Sequence, residues 1–210
     1  MTALLFARSE RRVFGRVLPT LVLSALCLMG GALILLGAVV PAKAVVAQIL
    51  LNRAFDQSLA EHRPVKPWPW ADTAPVARIS VARLGVSEIV LSGGTGQAMA
   101  FGPTLLAGRP QIVLMAAHRD THFAFLKDVQ RGDLIEIQSV RGEIKRYRMT
   151  ESQIVQWDRF AYPGNPARPL LGLSTCYPFG ATAHGRLRYV AWAEEVSSPM
   201  ETAPGRQYDW

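Results

Sequence analysis

Cysteine is nearly missing from this chain, with only 2 in 210 residues. Two thiols cannot build the bridged framework that holds small exported domains together, so a disulfide scaffold is excluded and the fold needs a core of its own. Aromatic residues make up only 9%, and acids number 16 against 23 Lys and Arg. The net charge of +7 nevertheless includes no dense basic run beyond the N-terminal segment, which argues against nucleic acid as a partner. No internal repeat or low-complexity tract is present, so repeat architectures find no support.

One absence is local. Residues 17–42 contain no Asp, Glu, Lys or Arg, and LVLSALCLMGGALILLGAVV within them is almost wholly apolar. About 20 apolar residues at 1.5 Å per residue match a hydrocarbon core roughly 30 Å thick. A cleaved signal peptide has a shorter apolar part, about 7–15 residues. The only weak cleavage candidate here is Val40-Pro41-Ala42-Lys43-Ala44, so a retained anchor is expected over 17–42. Arg8, Arg11, Arg12 and Arg16 precede the span and Lys43 alone follows closely. The excess of positive charge on one flank places residues 1–16 in the cytoplasm and the rest outside. The chain then reads as single-pass in the cytoplasmic membrane.

This division makes the cysteines informative. Cys27 lies in the span and Cys176 on the exported side. An unpaired thiol in an oxidising compartment is either a small buried hydrophobe or a reactive group.

After the span, AVVAQILLNRAFDQSLAEH carries loosely helical apolar spacing and runs into Arg63-Pro64-Val65-Lys66-Pro67-Trp68-Pro69-Trp70. Those prolines forbid helix and sheet interior, so residues 43–74 read as a juxtamembrane helix followed by a linker or strap. From residue 75 onward the pattern is short strands with turns: Ala77–Leu84, Ser87–Leu91, Gln111–His118, Leu134–Val140, Lys145–Val155, Leu170–Thr175 and Leu187–Glu194. Arg141-Gly142 makes a hairpin of 134–155. The segment Thr121–Val129 is the one expected helix. Seven or so short strands point to a mainly β domain over 75–196, either a mixed sandwich or a closed barrel. A mobile tail is expected over 197–210.

Three reactive types stand at strand ends. His118 closes Ile112-Val113-Leu114-Met115-Ala116-Ala117, Cys176 closes Leu170-Leu171-Gly172-Leu173-Ser174-Thr175, and Arg188 begins the last apolar run. A thiol attacks as its thiolate, histidine moves protons near neutrality, and a guanidinium can hold an oxyanion. That set suffices for acyl transfer from a peptide bond. Any exported chain offers some of each, so the residues alone leave the function open.

Two motifs narrow it. Leu173-Ser174-Thr175-Cys176-Tyr177-Pro178-Phe179 resembles the T-L-x-T-C strand end of sortases, and Ala117-His118-Arg119-Asp120-Thr121-His122-Phe123 resembles their G-H-R-D-T-H-F segment. Lys66-Pro67-Trp68-Pro69-Trp70-Ala71-Asp72 and Ala100-Phe101-Gly102-Pro103 further resemble the class GN sortases of marine proteobacteria. The resemblance implies an eight-stranded closed β-barrel behind an N-terminal transmembrane helix. It also implies a cysteine transpeptidase, without cofactor or metal, that works on the periplasmic side of the inner membrane. Its partners would be an exported protein with an LPxTG-like C-terminal sorting signal and an amine acceptor. Cys176 would be the nucleophile, His118 the general acid/base and Arg188 the substrate and oxyanion contact, with Thr175, Asp120 and Ser174 in support. Arg186 competes for the last catalytic role, and Arg188 is preferred because it directly opens Tyr189-Val190-Ala191. Departures from the pattern are Gly172 in place of the first Thr, Ala117 in place of Gly, and a short connection between Pro103 and Ile112.

Other readings stay open on the residues. His118 and His122, joined by Cys176 or His184, could be taken for a zinc set, although HxxxH needs a helix where a strand ends. Asp120 could orient His118 or cap the helix at Thr121–Val129, the cap being favoured. A papain-like protease expects its Cys before its His, opposite to the order here. Another thiol transpeptidase, or a tethered β-domain that only binds an exported partner, are the remaining rivals.

Overall fold

The structure, a computed structural model, describes residues 3–183 and 185–196, and the tail 197–210 and His184 lie outside them. Helix α1 spans Ala3–Glu61 and tolerates Pro19 and Pro41. The chain divides into two compact units, one up to Val46 and one from Ala47 onward. In the first unit, Leu21, Leu28, Ile34, Leu36 and Val40 are all exposed. This stretch is long and apolar enough to cross a membrane.

In the second unit, the helical segment from Ala47 on turns amphipathic. Leu51 and Phe55 are fully buried and pack with Ile89, Leu91 and Val140. The Gln48 Nε2 donates to the Phe101 carbonyl at 2.7 Å. The helix stops because His62 turns left-handed (φ 53°) and Pro64 cannot continue it. The Ser58 hydroxyl accepts from the Val65 N–H at 2.9 Å and ties the exit down. In the strap that follows, Trp68 packs edge-on against Phe101 at 5.4 Å, whereas Trp70 is left 79% exposed.

Eight strands follow: β1 (Pro75–Val81), β2 (Val86–Leu91), β3 (Thr104–Arg109), β4 (Ile112–Ala116), β5 (Leu134–Ser139), β6 (Ile144–Gln156), β7 (Leu170–Tyr177) and β8 (Leu187–Glu195). They close into a barrel in the order β1-β2-β3-β4-β7-β8-β6-β5, which leaves no sheet edge to aggregate. Most neighbours are antiparallel, but β2 with β3 and β4 with β7 run parallel. Ala77, Ile79 and Val81 alternate inward and meet Met115, Ile137, Tyr147, Leu171, Leu173 and Ala191 in one core. Strands β4 and β7 are buried on their outer face too. There Ile112, Leu170, Val190 and Trp192 form a second cluster under Phe160 and Tyr162.

Three expectations need correction. The strand expected over Ala77–Leu84 ends at Val81, because Ala82–Leu84 form a 3₁₀ turn closed by the left-handed Gly85. The helix expected over Thr121–Val129 is only a 3₁₀ turn, Ala124–Lys127, whose leading residue Phe123 makes no side-chain cap. Strand β3 was hidden by its Gly108 and the following Pro110. It fills the short connection between Pro103 and Ile112. The ladder slips between Leu106 and Arg109, and Gly108 sits so close to the Ile112 carbonyl that a Cβ has no room.

Candidate active site

The core assigns faces to β7. Leu171, Leu173 and Thr175 are buried on the inward alternation, so Ser174 and Cys176 take the outward one, and both are half-buried. Cys176 is a free thiol. On β8, Val190 and Trp192 belong to the outer cluster, and Arg188 continues their alternation. In the antiparallel register Cys176 lies directly opposite Arg188 on the last rungs of the β7–β8 ladder. Side chains so paired share a face, with Cβ atoms about 4.5–5.5 Å apart. Arg186, by contrast, precedes β8 and is exposed, and its carbonyl accepts from the Trp157 N–H at 2.9 Å.

His118 reaches the same rim from β4. The parallel register pairs Ala116 with Ser174, and the Ala117 N–H extends the ladder to the Ser174 carbonyl at 3.3 Å. His118 is the next residue and is exposed between buried Ala117 and Arg119. Thr175, facing inward, donates its hydroxyl to the Ala117 carbonyl at 2.8 Å. That bond ties the end of β7 to the end of β4 immediately beside Cys176 and His118. The Phe123 N–H closes the histidine's own turn on the His118 carbonyl at 3.0 Å. Arg188 Nη1 donates to the carbonyls of Gly185 (3.1 Å) and Leu187 (2.9 Å), which ties the guanidinium to the backbone where the β7–β8 connection enters β8.

Of the supporting residues, Thr175 and Ser174 stand in the ladder as described. Asp120 does not cap a helix. Its carboxylate meets Arg119 Nε at 3.4 Å, while the turn beyond is 3₁₀ and carries no side-chain cap. His122 directs Nδ1 to Glu88 Oε2 at 2.8 Å, so its ring is engaged by β2 rather than paired with His118. Arg119 and Glu88 were not singled out by the motifs. Both are polar residues next to or facing the histidine turn, and only the folded structure shows their partners.

Gly172 also gains a reason. It faces Trp192 across the ladder, and a Cβ there would lie 2.7 Å from the indole and 2.8 Å from Leu114. The indole lies over the strand, 2% exposed and stacked on Phe160 at 6.1 Å and 13°. Ala117 keeps its methyl in the barrel core.

Among solved structures, the fold is similar to sortase A from Corynebacterium diphtheriae, with TM-score 0.53 and 21% identity over 63% of this chain and 66% of that one. The match therefore spans just under two thirds of that protein. A lid mutant of the same sortase matches at TM-score 0.54 and 19% identity, over 76% of this chain and 97% of that one. Sortase C-1 from Actinomyces oris matches at TM-score 0.50 and 24% identity, over 59% and 76%. At such identities the likeness is one of fold. No curated protein matches the chain. A family model of the sortase domain matches residues 79–196, from β1 to the end of the described chain, and on that match the chain belongs to the sortase family, cysteine transpeptidases built on a closed β-barrel.

Proposed function

We propose that this chain is a membrane-anchored sortase whose nucleophile is Cys176, whose general acid/base is His118 and whose oxyanion and substrate contact is Arg188. The observation that carries the reading is the register: Cys176 and Arg188 are cross-strand partners at the rim, and the end of β4 delivers His118 to the same rim.

The chemistry follows from those positions. The Cys176 thiolate attacks the scissile carbonyl, and the guanidinium of Arg188 receives the negative charge that grows on its oxygen. His118 protonates the departing amine as the carbon–nitrogen bond breaks and a thioester remains. An incoming amine then gives its proton to His118, attacks the thioester and restores the thiolate, giving transpeptidation. Water in the amine's place gives hydrolysis, the thiol-protease outcome. Half-burial of Cys176 and Arg188 strengthens their interaction with the developing charge relative to bulk water.

The substrate in this reading is an LPxTG-like signal near the C-terminus of an exported protein, as in the class GN sortases. The apolar helix anchors the enzyme with residues 1–16 in the cytoplasm and the barrel in the periplasm, since the basic flank precedes the span. The test is to incubate the full chain with candidate signal peptides, trap the thioester on Cys176 and locate it by mass spectrometry. Cys176→Ala should form none and transfer nothing while melting as the parent does. Transfer that survives this substitution would move the nucleophile elsewhere, and a parent thiol inert to a small vinyl sulfone at neutral pH would leave a binding domain instead.

A further inference from the structure

Arg119 is a guanidinium where an apolar residue would be easier to place. It is only 8% exposed, and its nearest carboxylate, Asp120, is itself 60% exposed and 3.4 Å from Nε. Burying such a cation is costly unless its donors are used. Arg119 directs Nη2 to two backbone carbonyls, a close one at Ala181 and one at Ala183 at 3.1 Å. Its Nη1 is buried with no partner among the described residues.

The location of those carbonyls matters. Ala181 and Ala183 belong to the connection between the last residue of β7, Tyr177, and the first of β8, Leu187. Cys176 and Arg188 stand one residue inside the two ends of that connection. Arg119 is the residue after His118. A single side chain thus ties the backbone that carries the imidazole to the loop joining the thiol strand to the guanidinium strand. No backbone ladder does this, because β4 ends at Ala116 and the Thr175 bond stops at Ala117.

We propose that Arg119 is a positioning residue, clamping the Ala181–Ala183 loop to the histidine turn and so setting the spacing of His118 from Cys176 and Arg188. The role rests on the reading of the site given above. Arginine suits it, since Nη2 serves both carbonyls while Nε faces Asp120 from the same rigid plane, whereas a lysine ammonium has a single nitrogen and cannot hold both sets of contacts at once.

The test needs no knowledge of the natural substrate. The full chain in detergent micelles is alkylated with a small vinyl sulfone at neutral pH, and the limiting rate is separated from the half-saturating concentration. Cys176→Ala is the blank. Arg119→Met should lower the limiting rate by about 10²-fold, the cost of roughly 1 Å of misplacement, with half-saturation and melting temperature nearly unchanged. Arg119→Lys should recover part of the loss and remain slower than the parent by about tenfold or less. A role in folding alone would instead move melting and leave the limiting rate of the folded fraction intact, and that result overturns the proposal. So does parental reactivity in folded Arg119→Met. Should that variant fail to fold, Arg119→Lys decides: a rate equal to the parent's refutes the clamp, and a reduced one supports it. A parent whose Cys176 does not react at all refutes the reading of the site and this role with it, which separates that failure from the others.

Discussion

Replacing Gly172 tests whether the outer face of β7 is packed as tightly as described. The glycine lies opposite Trp192, and an added Cβ would come within 2.7 Å of Cζ3 and 3.1 Å of Cη2 of the indole, and 2.8 Å of Leu114 Cδ1. Leu114 can yield by turning a terminal methyl. Trp192 cannot yield as easily, being 2% exposed and stacked on Phe160 at 6.1 Å, which meets Tyr162 edge-on at 5.0 Å. Overpacking of this kind costs about 1–3 kcal/mol. Alanine restricts the unfolded chain relative to glycine and returns about 0.4–1 kcal/mol. The mid-values of these ranges leave a net destabilisation for Gly172→Ala of about 1.3 kcal/mol, which lowers Tm by roughly 3–5 °C in a domain of this size. Threonine, the residue that sortases usually carry at this position, adds more atoms and should cost more. The assay is thermal unfolding of the full chain in micelles by circular dichroism, run as a double-mutant cycle with Trp192→Leu. With the indole gone, the Cβ has room, so the double variant should be less destabilised than the sum of the singles by about 1 kcal/mol or more. An unchanged or raised Tm in Gly172→Ala, or strict additivity in the cycle, refutes the packing argument.

Other outcomes follow from the same structure. Arg188→Lys should reduce transfer by about 10²–10³-fold at nearly parental Tm, because an ammonium lacks the fixed fork for the oxyanion; near-parental turnover would move the role elsewhere. Thr175→Val keeps the shape but loses the 2.8 Å bond to the Ala117 carbonyl, so stability should fall by about 1–3 kcal/mol with slower Cys176 alkylation. Asp133 takes Nε and Nη2 of Arg83 at 2.6 and 2.7 Å and the Gln130 N–H at 2.8 Å. The hydrogen bond from Arg83, above all, holds its carboxyl below the ordinary aspartate range, against the opposing effect of burial. A depressed carboxylate contributes stability above its unfolded value of about 3.9 and loses it as pH falls through the native value. Asp133→Asn should therefore lower Tm at neutral pH and flatten its decline in acid, as a Tm-against-pH series would show.

How much of this was legible beforehand depends on the range of the interaction. The apolar span needs only an absence of charge over 17–42, and its length alone matches a bilayer. The alternation in β1 and the runs in β4 and β7 mark buried strands because side-chain period is a local property. The motifs around His118 and Cys176 likewise lie in single short segments. Strand β3 is not legible in the sequence because its glycine and the following proline read as punctuation, and its pairing with β4 is set by the fold.

The sequence by itself determined seven of the eight strands, the apolar helix and the chemical types available at strand ends, since each depends on neighbours a few residues apart. Only the closed barrel decided that Arg188 rather than Arg186 faces Cys176, that Gly172 makes room for Trp192, and that Arg119 reaches Ala181 and Ala183. Those are matters of register and approach between segments far apart in the chain. A shift of one residue in pairing turns every side chain to the opposite face, and no single segment carries the information that fixes it.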